Sequence, residues 1–388
     1  MNDPVSGAPD EGALEGHAGT TPPRARRAVG SVALVAVLSV LLFVFVEGGA
    51  SATLSLYTLL VRPPEQMREE RAHTEYDKDL GWIHKPDLFI ENLYGPGVYF
   101  RTNAQRFRAN RVYATEVPTG RKRAICSGDS FTLGHSVDND HTWCALLTRL
   151  DPDLETVNMG QAAYGVDQAY LWYRRDGVEL EHDLHLFAFI TTDFARMRQD
   201  DFLGYPKPYL RIQDGRLEVQ NVPVPDRSKS IPRYDAALQA ARRLRVVELG
   251  EKVLGRLGLS IGAPAEAKLS EDQVRDVATL VFRDLQRLNA EKGSVLVLVF
   301  IPRSGDVEFR WSDPWRAFVA QAASELGIIF IDLVPEFRQL GLSKAESLFV
   351  DPYHPSHMAN SGNEWIAQQL YRKMLEHPEL AANLGVSR

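Results

Sequence analysis

Several features that would define a class of protein are missing from this sequence of 388 residues. Lys and Arg total 44 against 51 Asp and Glu, a formal net charge of −7, and no long basic run occurs. Nucleic-acid-binding proteins usually carry a basic footprint, so no nucleic-acid partner is expected. The two cysteines are too few for a disulfide scaffold and lack the four-ligand spacing of a structural zinc site. The sequence also contains no internal repeat.

Long apolar runs are equally scarce, because only residues 28–46 form one without any charge. At about 1.5 Å per residue, this run is long enough to cross a bilayer. Three arginines precede it and Glu47 follows it, so the positive-inside rule predicts a cytosolic N-terminus and a periplasmic or extracellular remainder. A cleaved signal peptide is the alternative, since Ala50-Ser51-Ala52 resembles a cleavage site. The run exceeds the usual apolar core of a signal peptide, about 7–15 residues, so we predict an uncleaved anchor in the inner (plasma) membrane.

The rest of the chain is predicted to divide into four further regions. Residues 1–27 read as a disordered cytosolic tail, 47–72 as a linker, 73–120 as an irregular β extension and 121–388 as the main domain. In the main domain, five apolar strand-like runs alternate with amphipathic helical ones. The predicted strands are 123–126, 156–159, 184–191, 294–301 and 328–333, and the predicted helices are 142–150, 167–178, 271–290, 314–326 and 364–375.

This alternation of strands and helices predicts an α/β fold. Near-continuous apolar strands indicate a parallel five-stranded sheet with helices on both faces, a three-layer sandwich. Residues 195–265 interrupt the pattern and read as an insertion, in which Asp214-Gly215 predicts a hairpin.

The first candidate catalytic residue is Ser130, within Gly128-Asp129-Ser130 directly after the first predicted strand. Ligands of open α/β sheets bind outside the carboxyl ends of the strands, so a serine here is well placed for nucleophilic attack. A role as a helix cap is the plain structural alternative. The α/β-hydrolase elbow is excluded, since it requires Gly two residues after the serine, where Thr132 stands.

A second candidate group follows the last predicted strand. Asp351 stands three residues before His354 across a proline-containing turn, where a carboxylate can orient an imidazole. His354 would then act as the base for Ser130. A polar surface loop is the structural alternative, His357 is a rival base, and Asp351, His354 and His357 together can also be read as metal ligands. We expect no metal and no cofactor, because no further matching cluster occurs.

The third candidate is Gly160, in Asn158-Met159-Gly160 after the second predicted strand. A glycine there allows the backbone to approach a ligand closely, and its N–H can stabilise an oxyanion.

These three motifs, in this order, resemble the SGNH (GDSL-type) hydrolase family over residues 120–375. The resemblance implies a flavodoxin-like SGNH hydrolase fold, with Ser130 as nucleophile, His354 as base and Asp351 as its orienter. It also implies that the N–H groups of Ser130 and Gly160 contribute to the oxyanion hole. Asp129 and Asp193 are expected to be supporting residues of the site. The anchor and the segments 81–86 and 101–108 look similar to membrane-anchored bacterial members.

One motif departs from the family pattern. The family has Gly-x-Asn-Asp after the third strand, where this chain has Ile190-Thr191-Thr192-Asp193. Asp193 matches, but Thr192 replaces the asparagine that would donate to the oxyanion, and losing one such donor typically costs roughly 10²–10³ in rate. Thr192 itself, or a residue of the insertion such as Arg196, would have to replace this donor.

The expected function is therefore a membrane-anchored Ser-dependent esterase or acyltransferase. Its substrates would be small acyl esters, such as O-acetyl groups, on envelope saccharides or lipids. A catalytically weak saccharide-binding or assembly protein on the same fold is the alternative. Cys126 and Cys144 can form a disulfide in an oxidising compartment or remain two buried thiols.

Overall fold

The N-terminal apolar run is helical in the computed structural model, which describes residues 23–61, 72–202, 205–226, 246, 267–350 and 357–385. Helix α1 extends over Pro23–Val61. Within it, Leu34–Thr53 has a mean hydropathy of 2.2 and is long and apolar enough to cross a membrane. A signal sequence near the N-terminus would share these properties. The helix continues beyond residue 46, into the segment predicted to be a linker.

The predicted β extension consists of short antiparallel pairs. Strand β1 (Thr74–Asp77) pairs with β2 (Gly81–His84), and β3 (Phe89–Ile90) pairs with β4 (Phe100–Arg101).

The main unit contains the alternating strands and helices. Its strands are β5 (Lys122–Gly128), β6 (Leu154–Gly160), β7 (Leu184–Phe189), β8 (Asp201–Phe202), β9 (Tyr205–Pro206), β10 (Tyr209–Gln213), β11 (Arg216–Gln220), β12 (Val295–Phe300) and β13 (Ile329–Asp332). Its helices are α2 (Ser130–Leu133), α3 (Trp143–Leu150), α4 (Val166–Arg175), α5 (Thr191–Arg196), α6 (Glu271–Lys292), α7 (Asp313–Leu326), α8 (Val334–Gln339), α9 (Leu342–Glu346), α10 (Asn360–Glu376) and α11 (Pro378–Asn383). Three short 3₁₀ turns cover Asn139–His141, Gly177–Glu179 and Ser304–Val307.

Five of these strands form one parallel sheet in the order β13-β12-β7-β5-β6. One apolar core packs α4, α6 and α7 against one face, and a second packs α3, α8 and α10 against the other. This arrangement confirms the predicted three-layer α/β sandwich. Each predicted strand and amphipathic helix of the main domain is present, with ends shifted by a few residues.

The predicted Asp-Gly hairpin is confirmed, and a capping box marks the start of α6. The β10–β11 hairpin turns at Asp214 and Gly215, both with positive φ, as expected for an Asp-Gly turn. Ser270 and Gln273 form a capping box at the start of α6. Residues 227–245 and 247–266 of the predicted insertion lie outside the described residues.

The sheet order places a crevice between β5 and β7. The connection from β5 leads to β6 on one side, and the next strand, β7, lies on the other side of β5. A reversal of this kind opens a site at the carboxyl ends of the two strands. Cys126 of β5 is joined by a disulfide to Cys144 of α3 on the adjacent layer.

Candidate active site

Ser130 begins helix α2 at the carboxyl end of β5. The Oδ1 of Asp129 accepts a hydrogen bond from the N–H of Phe131 at 2.8 Å, a helix N-cap. The helix ends after one turn because Gly134 adopts the left-handed conformation, with φ 78°. Ser130 is 4% exposed, so this Asp-to-Gly turn holds the hydroxyl at the edge of the sheet. Asp129, predicted as a supporting residue, is therefore the N-cap of the turn Asp129–Gly134, which is called the nucleophile turn.

Two buried side chains hold the other end of α2. The guanidinium of Arg108 donates to the carbonyls of Leu133 and Gly134 at 2.6 Å each. The Nδ2 of Asn158 donates to the carbonyl of Thr132 at 2.9 Å. The carbonyls at this helix end, which have no partner within the helix, are thereby satisfied by cationic and amide donors.

The histidine that the structure brings to Ser130 is His357. Its Nε2 lies 2.8 Å from the Ser130 Oγ, within the range for proton transfer. His354 and Asp351, predicted as base and orienter, lie outside the described residues, as do all of residues 351–356. Their roles remain predictions, whereas the rival histidine has the contact that a base requires.

The His357 ring lies among aromatic rings. It stacks on His135 with centroids 4.1 Å apart and contacts the Phe131 ring at 5.3 Å. Burial lowers the pKa of His357 to about 4, while the charge of Asp129 partly opposes this. The imidazole is therefore neutral at pH 7 and can accept a proton from Ser130.

Gly160 occupies the carboxyl end of β6, and the oxyanion role expected of it stays a prediction. Its N–H donates to the Oδ1 of Asn158 at 2.9 Å and is therefore already engaged. A Cβ at residue 160 would lie 2.0 Å from the Leu133 nitrogen. The glycine is thus required because the backbone of α2 passes against the strand end.

The turn after β7 carries the ionisable side chains of Asp193 and Arg196, and it lacks the asparagine amide of the family pattern. Thr192 lies half-buried in the first turn of α5. Asp193 is 2% exposed and accepts from the Ile190 N–H at 3.0 Å. The Nη1 of Arg196 lies 2.6 Å from the Asp193 Oδ1 and 3.2 Å from the Asp129 Oδ2. Arg196 thus joins the turn after β7 to the cap of the nucleophile turn.

The carboxyl of Asp193 is electrostatically unusual. Burial, together with the neighbouring Asp129 charge, raises its pKa well above the ordinary value, against the opposing effect of Arg196. Burial and the Asp129 charge therefore oppose ionisation of Asp193, and the contact with Arg196 favours it.

Within the described part of the chain, no group of three or more His, Cys, Asp or Glu side chains is arranged to hold a metal ion. Asp351 and His354, two members of the alternative metal set, lie outside that part.

Sequence reasoning did not detect three contributors to this site. The stacking of His135 on His357, the hold of Arg108 on α2 and the Arg196–Asp129 contact each join residues distant in the chain. Motif spacing contains no signal for such contacts, although Arg108 and Arg196 lie in segments that the sequence analysis singled out.

No protein-family model and no curated protein matches the chain. Among solved structures, it is similar to a lipolytic protein of the G-D-S-L family from Desulfitobacterium hafniense, at 12% identity and a TM-score of 0.37, covering 65% of this chain and 99% of that one. It is also similar to an acetylxylan esterase from Geobacillus stearothermophilus, at 12% identity and a TM-score of 0.38, covering 66% and 95%. The first carries the name of the family that the sequence motifs resemble. Identities this low, with TM-scores below 0.5, assign neither a family nor an activity.

Proposed function

We propose that this protein is a Ser-dependent carboxylic ester hydrolase of the SGNH type, with Ser130 as nucleophile and His357 as base. The observation that carries the proposal is the 2.8 Å contact between the His357 Nε2 and the Ser130 Oγ at the carboxyl end of β5. A serine hydroxyl requires such a neighbouring base to become nucleophilic. The neutral state of the imidazole fits that task.

In the proposed reaction, Ser130 attacks the ester carbonyl while His357 takes its proton. The imidazolium then returns the proton to the departing alkoxide, leaving an acyl-enzyme and the free alcohol. Water, or an acceptor hydroxyl in an acyltransferase, attacks the acyl group in the second step. His357 takes and returns a proton again, which restores the Ser130 hydroxyl.

The surrounding charges fit this sequence of protonation states. Asp129 lies close enough to raise the pKa of His357, and a negative charge there stabilises the transient imidazolium. The N–H of Ser130 donates to no described residue and is the first candidate oxyanion donor, with Thr192 as a second from the adjacent strand end. His354 as base and Asp351 as its orienter remain predictions from the sequence, since both lie outside the described residues.

The proposed substrates are small acyl esters, such as O-acetyl groups, on envelope saccharides or lipids. The apolar span Leu34–Thr53 supports a location at the inner (plasma) membrane with the catalytic unit on the periplasmic or extracellular side. The Cys126–Cys144 disulfide supports the same oxidising side, because disulfides persist there and are rare in the cytosol.

The nucleophile is tested by labelling the full chain with a fluorophosphonate probe. Wild type should become labelled and Ser130→Ala should not. Equal labelling of the two proteins would show that Ser130 is not the nucleophile.

The base is tested by hydrolysis of p-nitrophenyl acetate, with His354→Ala as the matched partner of His357→Ala. We expect His357→Ala to lower kcat by about 10³-fold, in the range for loss of a general base, and His354→Ala to have a smaller effect. The reverse ranking would assign the base to His354.

A catalytically weak saccharide-binding protein is the second candidate. Thr192 in place of an asparagine and the engaged N–H of Gly160 favour it, because both reduce the donors available to an oxyanion. In that case Ser130→Ala would retain saccharide binding, and wild type would form no detectable acyl-enzyme.

A further inference from the structure

A cavity lies beside β6 and α3, and two side chains that hold α2 form part of its lining. Its volume is about 510 Å³, and it is bounded by residues 108–113, the turn at Asn139, helix α3 and strand β6. Sites for small molecules usually measure about 300–1,000 Å³. Neither Ser130 nor His357 lines this cavity, so it is separate from the proposed active site.

The lining of this cavity is positively charged in an acidic protein. Three arginines, Arg108, Arg111 and Arg149, line it with one acid, Asp140, whereas the whole chain carries −7. A concave surface of one sign concentrates ligands of the opposite sign. The cavity therefore favours an anion.

Arg111 is held in place for such a ligand. One of its nitrogens, Nη2, donates to the Glu155 Oε1 at 2.6 Å, and its guanidinium lies over the Tyr113 ring at 5.2 Å. Glu155 is itself buried and also binds Arg123 at 2.5 Å. Apart from an interaction with the Tyr113 hydroxyl, the other N–H groups of Arg111 donate to no described residue, so part of a preorganised donor edge remains for a ligand.

Arg149 supplies a second cation at the rim. It lies in the last turn of α3, is exposed, and forms no hydrogen bond or ion pair with any residue that the structure describes. Arg108 adds a buried positive charge at the back of the cavity. Burial lowers the pKa of Arg108 to about 10, which keeps it charged at neutral pH.

Uncharged groups between these cations complete the lining. The hydroxyls of Thr148 and Thr156 lie 3.0 Å apart, and because one hydrogen bond uses only one of their two protons, the other O–H can donate to a ligand. The carboxylate of Asp140 accepts from Asn110 at 3.2 Å and from Tyr99 at 2.8 Å. This acid is therefore already engaged with protein donors.

We propose that this cavity binds a sugar that carries a carboxylate or a phosphate, with Arg111 and Arg149 holding the anion and the threonine hydroxyls holding the sugar. Arginine forks match both oxyanions. The back wall is formed in part by Arg108 and Asn158, the side chains that hold the Ser130 helix.

Isothermal titration calorimetry on the full chain in detergent tests this proposal, with trigalacturonate, glucose 6-phosphate and neutral xylotriose as probes. We expect at least one acidic probe to bind and xylotriose not to bind. Affinity should fall as NaCl rises from about 50 to about 300 mM, since an exposed cation is screened by salt. Binding of trigalacturonate alone identifies a carboxylate as the ligand group, and binding of glucose 6-phosphate alone identifies a phosphate.

Variants locate the bound probe. Arg149→Gln should weaken binding by about tenfold, as expected for losing one charge-assisted hydrogen bond. Arg283→Gln, which changes another exposed arginine, in α6, that also lacks a described partner, should leave the affinity unchanged. Ser130→Ala should retain full affinity, so the result does not depend on the proposed esterase activity. No heat with either acid, equal binding of xylotriose, or full affinity in Arg149→Gln would overturn the proposal.

Discussion

The turns after β5 and β7 meet at the same edge of the sheet and are stabilised in different ways. The turn after β5 is fixed by the packing of Gly160 against Leu133 and by hydrogen bonds that Asn158 and buried Arg108 donate to carbonyls of α2. The turn after β7 is fixed by contacts of the Arg196 guanidinium with the carboxyl groups of Asp193 and Asp129. The first therefore depends on close packing and backbone carbonyls, and the second on one arginine between two carboxyl groups.

The largest effect is expected from Gly160→Ala, which targets the shape of the nucleophile turn. The added Cβ would lie 2.0 Å from the Leu133 nitrogen and 2.4 Å from the Thr132 carbonyl carbon, and backbone atoms cannot move aside as a flexible side chain can. We expect the free energy of unfolding to fall by more than about 3 kcal/mol, the upper end of overpacking costs, and fluorophosphonate labelling to be lost.

Gly305→Ala is the matched control, because its nearest heavy atom, in the Trp311 ring, lies at 3.4 Å. Its denaturation midpoint should stay near that of wild type. A Gly160→Ala protein as stable and as reactive as the control would contradict the close packing of β6 against α2.

The next largest loss of stability is expected from Arg196→Gln, in the turn after β7. Removing this arginine leaves the buried carboxyl groups of Asp129 and Asp193 without their cation. Removing one partner of a buried ion pair typically lowers the free energy of unfolding by about 3 kcal/mol or more. Asp193→Asn should cost much less, because burial and the Asp129 charge already oppose ionisation of Asp193, as its raised pKa indicates. Chemical denaturation of both variants measures the difference, and equal losses would show that the Asp193 carboxylate contributes as much as Arg196.

The sequence predicts the parts of this site that local patterns determine, and not the contacts between distant residues. Apolar runs and the Gly128-Asp129-Ser130 motif are local patterns, so they sufficed to predict the sheet and the position of Ser130. The choice between His354 and His357 is not local. Asp-x-x-His spacing favours His354, which lies outside the described residues, whereas His357 is in contact with Ser130. Likewise, the acceptor for the Gly160 N–H is a side chain, Asn158, whose rotamer no motif predicts.

The pH dependence of hydrolysis tests the protonation of the proposed base. Because the pKa of His357 is lowered to about 4, the base stays neutral in mild acid. We therefore expect kcat/KM for p-nitrophenyl acetate to remain flat from neutral pH to about 5 and to fall only as pH approaches about 4. A fall centred near 6.5, the ordinary histidine value, would show that burial does not act on the base in this way.

Acid unfolding must be separated from this titration. A histidine with a lowered folded pKa binds fewer protons when folded, so the free energy of unfolding rises with pH between about 4 and 6.5 and is smallest at acid pH. His73, with a pKa lowered to about 3, acts in the same direction. Brief exposure to each assay pH, followed by measurement at pH 7, distinguishes reversible protonation of His357 from loss of the fold.

The smallest effect is expected at Thr192, and it tests whether the turn after β7 also serves the oxyanion. If the oxyanion hole lacks a donor at residue 192, Thr192→Asn should raise kcat by about tenfold, which is part of the 10²–10³ that one donor typically contributes. Thr192→Val is the matched control, because it keeps the shape and removes the hydroxyl. A lowered kcat in the valine variant with no gain in the asparagine variant would mean that the threonine hydroxyl already donates. Unchanged rates in both would place the second donor elsewhere, since the Ser130 N–H and His357 would then act without help from the end of β7.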